Sequence, residues 1–323
     1  MPRGASGVVS QVWRDGIFDG KVVFCTGGNG SICSAQVRAL VVLGADACIV
    51  GRNVQKTDLV AKDIALVRRG SKVLGIGGVD VRSLADLESA AKRCAVELGG
   101  IDFLIEAFLS AGAAGNFLAP LHSLSANAFK TVQEIDVQGS FNVTKACMPF
   151  LLESVVKHSR ASSSSPSGRI IYVSATNHYT GVPLQSHVNA AKAGVDAFSA
   201  SVAIEYGPLG ITSNVIAPGP IADTEGFDRL IKRWPPGEAP WKRLPLGRWG
   251  SVKDIADATV FLFSDAANYV TGEVLVVDGA AWRVGYGPGH DFPYPDSVLA
   301  GSDVSSDMLG QPSKHSGPVS SKL

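Results

Sequence analysis

The sequence predicts an α/β fold in which helices cover both faces of a doubly wound parallel sheet of seven strands. Three observations lead to this fold class. Short apolar, β-branched runs alternate with longer amphipathic segments along the 323 residues, which is typical of repeated βαβ units. Hydrophobic residues make up 46% of the chain and charged residues 18%, enough apolar content for one large core. A glycine-rich segment directly follows the first apolar run.

Seven short apolar runs are predicted as strands because polar or glycine-containing segments bound them. They are Val22–Cys25, Ala47–Val50, Lys72–Ile76, Phe103–Ile105, Arg169–Val173, Thr212–Ile216 and Val274–Val277. Helical spacing of apolar residues predicts helices over Ser34–Leu43, Val54–Arg69, Leu84–Leu98, Ala126–Val156, Gln185–Tyr206 and Val252–Phe263. This alternation predicts a single three-layer α/β/α domain over residues 17–283, with a crevice at the carboxyl ends of the strands. The Gly, Pro and Ser content of residues 284–323 predicts a flexible tail.

Charge and cysteine content narrow the function classes. The 29 basic residues balance 29 acidic residues, so we expect neither nucleic acid nor an anionic membrane as a partner. No apolar run is long enough to span a bilayer. The five cysteines form no CxxC pair, which predicts buried, reduced thiols, and no metal site is expected. The final tripeptide, Ser321–Leu323, is the address read by the peroxisomal import receptor, so we expect a location in the peroxisomal matrix.

The segment "VVFCTGGNGSIC" joins the first strand to the first helix and predicts a dinucleotide site. Glycines let the backbone approach a pyrophosphate, and the helix N-terminus offers unpaired N–H groups to its charge. Arg52 stands after the second strand, where an NAD enzyme places an acid. A guanidinium there matches a 2′-phosphate, so NADPH is the expected cofactor; a solvated surface arginine is the alternative. The candidate contacts in the loop are Thr26, Gly27, Gly28, Asn29, Gly30 and Ile32.

Ordered motifs between Gly20 and Trp282 make the chain resemble the short-chain dehydrogenase/reductase family, which has a Rossmann-type fold. The glycine loop is similar to the family's TGxxxGxG motif, with Ser31 and Cys33 at positions where the family usually has glycine. Further motifs are "GGVDV", "AGAAGNF" and "NVIAPGPIADT". The resemblance implies additional cofactor contacts, from the adenine to the nicotinamide, at Asp80, Val81, Ala113, Lys192, Pro218, Gly219, Ile221 and Thr224.

The usual proton donor of this family is missing. In most members a Ser–Tyr–Lys triad reduces a carbonyl, and the tyrosine gives its proton to the carbonyl oxygen. Here Lys192 is present, but Val188 and Ala175 fill the tyrosine and serine positions. Asp136 stands where the family has an asparagine that organises a proton-relay water. An aspartate can exchange a proton with such a water; the alternative is a carboxylate that merely satisfies backbone N–H groups.

These departures match one branch of the family. The segments "NAFKTVQEIDVQGSFN", "SATNHYTGVP", "AAKAGVDA" and "YVTGEVLVVDG" closely resemble the peroxisomal 2,4-dienoyl-CoA reductases. The resemblance implies hydride transfer from NADPH to the far end of a conjugated dienoyl thioester, then protonation at the alpha carbon to give a trans-3-enoyl-CoA. It also implies a second acid for the water, carried over to Asp278, for which an ordinary turn residue is the alternative. Small residues in Gln185–Tyr206 predict a homo-oligomer.

Substrate contacts are predicted in and before the amphipathic segment Thr224–Leu244, which suits an acyl chain and CoA phosphates. They are Asn116, Phe117, Phe227 and Arg233; an ordinary loop and a charged surface helix explain the same segment. Five residues, Glu106–Ser110, are inserted after the fourth predicted strand, an insertion able to displace Asn116 or bulge the strand end. Two other functions stay open: a carbonyl reductase with another acid, and an NADP-binding pseudo-reductase without turnover.

Overall fold

The protein is represented by a computed structural model that describes residues 12–107, 118–159, 167–231 and 244–284. Its strands are β1 (Val22–Thr26), β2 (Asp46–Gly51), β3 (Val73–Gly77), β4 (Phe103–Ala107), β5 (Gly168–Val173), β6 (Ile211–Pro218) and β7 (Val274–Val277). They form one parallel sheet in the order β3-β2-β1-β4-β5-β6-β7. The predicted fold class and the seven strands are confirmed.

The helices alternate with these strands, as a doubly wound sheet requires. They are α1 (Ser31–Val42), α2 (Val54–Ala65), α3 (Leu84–Leu98), α4 (Ala126–Gln133), α5 (Gly139–Ser159), α6 (Asn177–Thr180), α7 (Ser186–Tyr206), α8 (Glu225–Ile231) and α9 (Val252–Phe263). Polar side chains begin several of them: Asn53, Ser83, Ser125 and Ser251 each accept an N–H of the first turn, which stabilises the helix start. Within the described ranges, no helix is both long and apolar enough to cross a membrane.

Two apolar cores cover the two faces of the sheet. One core joins α1, α2 and α9 to the sheet, and there Phe103 stacks on Phe263 with ring centroids 4.6 Å apart. The other joins α3, α5 and α7 to the opposite face, around the fully buried Tyr172. All five cysteines are buried and free, as predicted. Because both faces are covered, the carboxyl edge of the sheet is where polar side chains can meet a ligand.

The winding direction reverses between β1 and β4, and this point sets the position of the crevice. Gly27 follows β1 and adopts a left-handed conformation, with φ +61°. A Cβ atom at Gly27 would lie 2.4 Å from the carbonyl oxygen of Ala107, the last residue of β4. The two strand ends therefore approach so closely that only a glycine fits.

The long helix predicted over Ala126–Val156 is interrupted. A π-helical segment, Glu134–Gln138, lies between α4 and α5. Other helix boundaries also differ from the prediction. Helix α1 begins at Ser31, three residues earlier than predicted, because Gly30 adopts an extended conformation there. Helix α2 ends at Ala65 instead of Arg69, and α5 continues to Ser159 instead of Val156. The π-helical segment widens one turn of the chain at the position that carries Asp136.

The fourth strand is longer than predicted. Glu106 and Ala107 were assigned to an insertion after the strand, yet they pair in register with Tyr172 and Val173 of β5. The prediction that β4 ends at Ile105 is therefore wrong, because parallel pairing with β5 continues through two more residues. The remainder of that insertion, residues 108–110, lies outside the described residues.

Candidate active site

The loop between β1 and α1 has the geometry of a phosphate-binding turn. The N–H of Gly30 donates to the carbonyl of Gly27 at 2.8 Å and closes the turn. A Cβ atom at Gly28 would lie 2.6 Å from the Cβ of Ile49, so the loop packs directly on β2. Helix α1 then begins at Ser31 without a side-chain cap from the described residues. Its first N–H groups are left to bind an anion.

The remaining loop residues hold this turn in place. The side-chain amide of Asn29 donates to the hydroxyl of Thr57 on α2 at 2.9 Å. Thr26 is fully buried, and its hydroxyl accepts the N–H of Ala107 at 3.4 Å. Ile32 packs against the core on the α1 side of the sheet. These contacts fix the loop without using the first N–H groups of α1.

Arg52 is exposed on the loop that leads from β2 into α2. Its backbone carbonyl accepts the N–H of Gly78, just after β3, at 3.3 Å. Asp80 and Val81 follow in the same loop, where Asp80 forms an ion pair with Arg82 at 2.5 Å. The hydrogen bond from Arg82 holds the pKa of the Asp80 carboxyl below its ordinary value. Arg52, Asp80 and Val81 thus lie after the carboxyl ends of β2 and β3.

Lys192 is buried in α7 and reaches the carboxyl end of β5. Its Nζ donates to the carbonyl of Val173 at 3.3 Å and lies 3.1 Å from Oδ2 of Asp136. Lys192 is 6% exposed and Asp136 is 0% exposed. Each buried charge compensates the other, because either one alone incurs a large desolvation penalty.

Asp136 lies in the π-helical segment, a type of turn found frequently at functional sites. Apart from the ion pair with Lys192, neither of its carboxylate oxygens has a hydrogen-bond partner within the described part of the chain. In particular, no described backbone N–H satisfies this carboxylate, as the alternative interpretation would require. A carboxylate accepts several hydrogen bonds, so Asp136 has capacity left for a water or a substrate group.

Val188 forms an apolar wall one helical turn before Lys192. It is 5% exposed and packs with Val132, Ala191 and Val137 from α4, α7 and the π-helical segment. Ala175, at the serine position of the usual triad, follows β5 and is partly buried. Neither side chain carries a proton to donate, so the acid chemistry of this site depends on other residues.

Glu106 is a second buried acid, which we did not predict as a site residue. It is 2% exposed, and its Oε1 lies 2.5 Å from the hydroxyl of Ser140, one turn after Asp136. Burial raises the pKa of Glu106 to about 8, although the hydrogen bond of Ser140 and the charge of Lys192 act in the opposite direction. The available signal in the sequence was a lone acid in the apolar run "FLIEA".

Asp278 follows β7 and is held by backbone groups. One of its carboxylate oxygens accepts the N–H of Ala280 and the other accepts the N–H of Trp282, both at 2.8 Å. Gly219, at the end of β6, packs against it: a Cβ atom at Gly219 would lie 2.4 Å from the Cβ of Asp278. Asp278 therefore lies at the carboxyl edge of the sheet, where the turn contacts occupy both of its oxygens.

The segment after β6 is fixed by a helix cap. The hydroxyl of Thr224 donates to the carbonyl of Ile221 at 2.9 Å and accepts the N–H of Phe227 at 3.2 Å. The ring of Phe227 packs edge-on against Trp249, with centroids 5.2 Å apart. Pro218, the last residue of β6, places this segment at the same sheet edge as Gly219.

Several predicted residues lie outside the described residues. They are Ala113, Asn116, Phe117, Arg233 and the terminal Ser321–Leu323. The structure brings together two pairs of predicted residues that lie far apart in the sequence: Asp136 with Lys192, and Gly219 with Asp278. The described residues thus include the glycine loop, which suits a cofactor, and the acidic side chains of the candidate site.

Comparisons with known proteins show the family to which this chain belongs. Residues 27–280 match the family model described as enoyl-(acyl carrier protein) reductase. The chain is 49% identical, over 90% of its length and 94% of the relative, to a Saccharomyces cerevisiae protein named peroxisomal 2,4-dienoyl-CoA reductase, (3E)-enoyl-CoA-producing. A Danio rerio protein of the same name is 37% identical over 84% of this chain and 85% of the relative.

Solved structures show the same fold. The crystal structure of levodione reductase is similar to this chain with a TM-score of 0.72 and 26% sequence identity, covering 81% of this chain and 98% of that structure. Family reductases use a nicotinamide cofactor, which the glycine loop after β1 suits. The chain belongs to the short-chain dehydrogenase/reductase family, in the group of the peroxisomal 2,4-dienoyl-CoA reductases.

Proposed function

We propose that this chain is an NADPH-dependent reductase that converts a 2,4-dienoyl-CoA into a trans-3-enoyl-CoA in the β-oxidation of unsaturated fatty acids. One observation carries the proposal: the site keeps an ionisable acid in the buried pair of Asp136 and Lys192, while the buried Val188 occupies the tyrosine position. The names of the yeast and zebrafish relatives give the same activity for those proteins.

The residues of this chain fit a nicotinamide dinucleotide. The tight turn from Gly27 to Gly30 and the N–H groups of α1 suit the pyrophosphate. The exposed guanidinium of Arg52 suits a 2′-phosphate, which supports NADPH over NADH. Lys192, at the carboxyl end of β5, is placed to bind the nicotinamide ribose. When bound, NADPH supplies the hydride for the far end of the dienoyl group.

Asp136 is the proposed proton-handling residue. Its carboxylate has free acceptor capacity and is held in place by the ammonium of Lys192, so it can bind a water and exchange a proton with it. That water protonates the alpha carbon, and solvent restores its proton through Asp136. The apolar side chain of Val188 offers no proton to the thioester oxygen, which directs protonation to carbon.

Asp278 is the proposed second acid for this water. Its position beside Gly219 at the carboxyl edge supports the proposal, while its bonds with Ala280 and Trp282 support the turn role. Replacing Asp278 with Asn separates the two roles. Loss of turnover with an unchanged melting temperature supports the role as an acid. Loss of turnover together with a lower melting temperature supports the role in the turn.

The substrate class and the location follow from the same relatives. We propose that the substrate is an acyl-CoA and that the protein lies in the peroxisomal matrix. The names of the relatives give this substrate class and a peroxisomal location for those proteins. Import through Ser321–Leu323, a homo-oligomer, and contacts of Asn116, Phe117, Phe227 and Arg233 with the acyl-CoA stay predictions. A fluorescent fusion with and without the last three residues tests import, and light scattering tests the oligomer.

The decisive assay follows NADPH consumption by the purified protein with a trans-2,trans-4-dienoyl-CoA and, separately, with a simple ketone. We expect turnover with the dienoyl-CoA but not with the ketone, and a product with one double bond at the 3-position. Reduction of the ketone without CoA would favour a carbonyl reductase. Binding of NADPH without turnover of either substrate would favour a pseudo-reductase. Both of these outcomes contradict the proposal.

A further inference from the structure

The hydroxyl of Ser140 lies within hydrogen-bond distance of two oxygen atoms. Its hydroxyl oxygen is 2.5 Å from Oε1 of Glu106 and 2.5 Å from the backbone carbonyl oxygen of Asp136. A hydroxyl carries one proton, and a backbone carbonyl carries none. One proton cannot point at both oxygen atoms with good geometry. The carboxyl group of Glu106 is the neighbour that can supply a second proton, so that each contact becomes a hydrogen bond.

The surroundings of Glu106 disfavour its ionised form. Its second oxygen, Oε2, is buried and has no hydrogen-bond partner among the described residues. The ammonium of Lys192 acts on it from α7 but already pairs with the carboxylate of Asp136. The other titratable groups that face it are Tyr172 on β5 and Cys147 on α5, and neither brings a positive charge. Burial accordingly raises the pKa of Glu106 to about 8.

We propose that Glu106 is a positioning residue of this active site, a neutral carboxylic acid that donates to Ser140 while Ser140 donates to the carbonyl of Asp136. The chain of two hydrogen bonds fixes the π-helical turn that carries the Asp136 side chain. Because Glu106 is neutral, it does not compete with the carboxylate of Asp136 for the ammonium of Lys192. The inference rests on the proposed function, because there Asp136 handles the proton.

Ionisation of Glu106 has two consequences for the site. Glu106 can no longer donate to Ser140, so the single proton of the Ser140 hydroxyl cannot form both hydrogen bonds. A second carboxylate then competes with Asp136 for Lys192, which acts electrostatically on both. Turnover therefore declines as Glu106 loses its proton.

The first test is the pH profile of kcat with a 2,4-dienoyl-CoA, measured from about pH 6 to about pH 9.5. Above the pKa of Glu106, the kcat of the wild type falls about tenfold per pH unit. Glu106→Gln keeps a constant kcat over this range, because its amide donates to Ser140 at every pH. The exposed Glu88→Gln is the matched control and follows the wild type. An unchanged alkaline decline in Glu106→Gln overturns the proposal.

A second variant guards against a folding defect in the first. Ser140→Ala removes the hydroxyl that links Glu106 to the carbonyl of Asp136. We expect a lower kcat near neutral pH and a shallower alkaline decline than in the wild type, because ionised Glu106 then acts on the site only through Lys192. A wild-type kcat near neutral pH means that Glu106 does not act through Ser140.

Urea unfolding without cofactor tests the protonation of Glu106 independently of turnover. The folded protein keeps a proton that the unfolded chain releases, so the wild type loses stability relative to Glu106→Gln between about pH 5 and about pH 8. Above that range the difference stays constant. Parallel stability curves mean an ionised Glu106 and overturn the proposal. Absence of turnover at every pH, with diverging stability curves, contradicts the proposed function alone.

Discussion

The ammonium of Lys192 lies 3.1 Å from the carboxylate of Asp136, one helical turn beyond Val188. In relatives with the usual triad, a lysine at this position supports a tyrosine; here it pairs with an aspartate. The acidic group of this site therefore lies on the π-helical segment, whereas the usual triad carries its tyrosine on α7. The proposed protonation at carbon accounts for both the missing tyrosine and the buried aspartate as one change of chemistry.

Restoring the tyrosine is not expected to restore carbonyl reduction. Val188 is packed against Val132 and Ala191, so Val188→Tyr overpacks the site and lowers the free energy of unfolding by about 1 to 3 kcal/mol. Urea unfolding measures this loss, and a ketone assay measures the activity. Val96→Tyr, at a position that is 77% exposed on α3, is the control and leaves stability nearly unchanged. A stable Val188→Tyr variant that reduces ketones contradicts this account.

The glycine loop predicts a contrast between two substitutions. Gly27 and Gly20 both have a left-handed conformation, with φ +61° and +74°, so alanine costs about 1 kcal/mol or more at either position. A Cβ atom at Gly27 also meets the Ala107 carbonyl at 2.4 Å, whereas Gly20 has nothing within 4 Å. Urea unfolding should show the larger loss in Gly27→Ala, and fluorescence titration should show weaker NADPH binding. Equal losses and equal binding would contradict the close approach of β1 and β4.

The proposed preference for NADPH over NADH depends on Arg52. Removing a charge-assisted contact with the 2′-phosphate by Arg52→Ala raises the KM for NADPH about tenfold or more and leaves the KM for NADH unchanged. Arg93→Ala, an exposed arginine of α3 that pairs with Glu97, is the control. An unchanged KM for both cofactors identifies a solvated surface arginine, and an equal rise in both shows that Arg52 does not recognise the 2′-phosphate.

Local patterns were sufficient to predict most of the fold. Strands such as β1 and β7 are short apolar runs bounded by polar or glycine-rich turns, so pattern and turn chemistry agree. The glycines between β1 and α1 marked the cofactor loop, because few other sequences fit a tight turn that opens a helix. Asp136 and Lys192 entered through the family resemblance, since nothing in their spacing brings two distant residues together.

The missed features depend on tertiary contacts. The sequence "EIDVQ" has ordinary helical residues, and its π-helical form is accompanied by contacts of Asp136 with Lys192 and Ser140, which no local pattern encodes. Glu106 was assigned to an insertion because, in the family that the chain resembles, the turn follows almost directly after the apolar run of this strand. Its burial follows from the pairing of β4 with β5, which continues past the last apolar residue of the run.

The proposed role of Asp136 is tested most directly by the Asp136→Asn variant, through its NADPH oxidation with a 2,4-dienoyl-CoA. Removing the proton-handling group is expected to lower kcat by about 100-fold to 10,000-fold, while NADPH binding is retained because the glycine loop and Arg52 are unchanged. Asp58→Asn, an exposed aspartate on α2 paired with Lys62, is the control and keeps full turnover. Full turnover by Asp136→Asn would show that another group delivers the proton and would contradict the account.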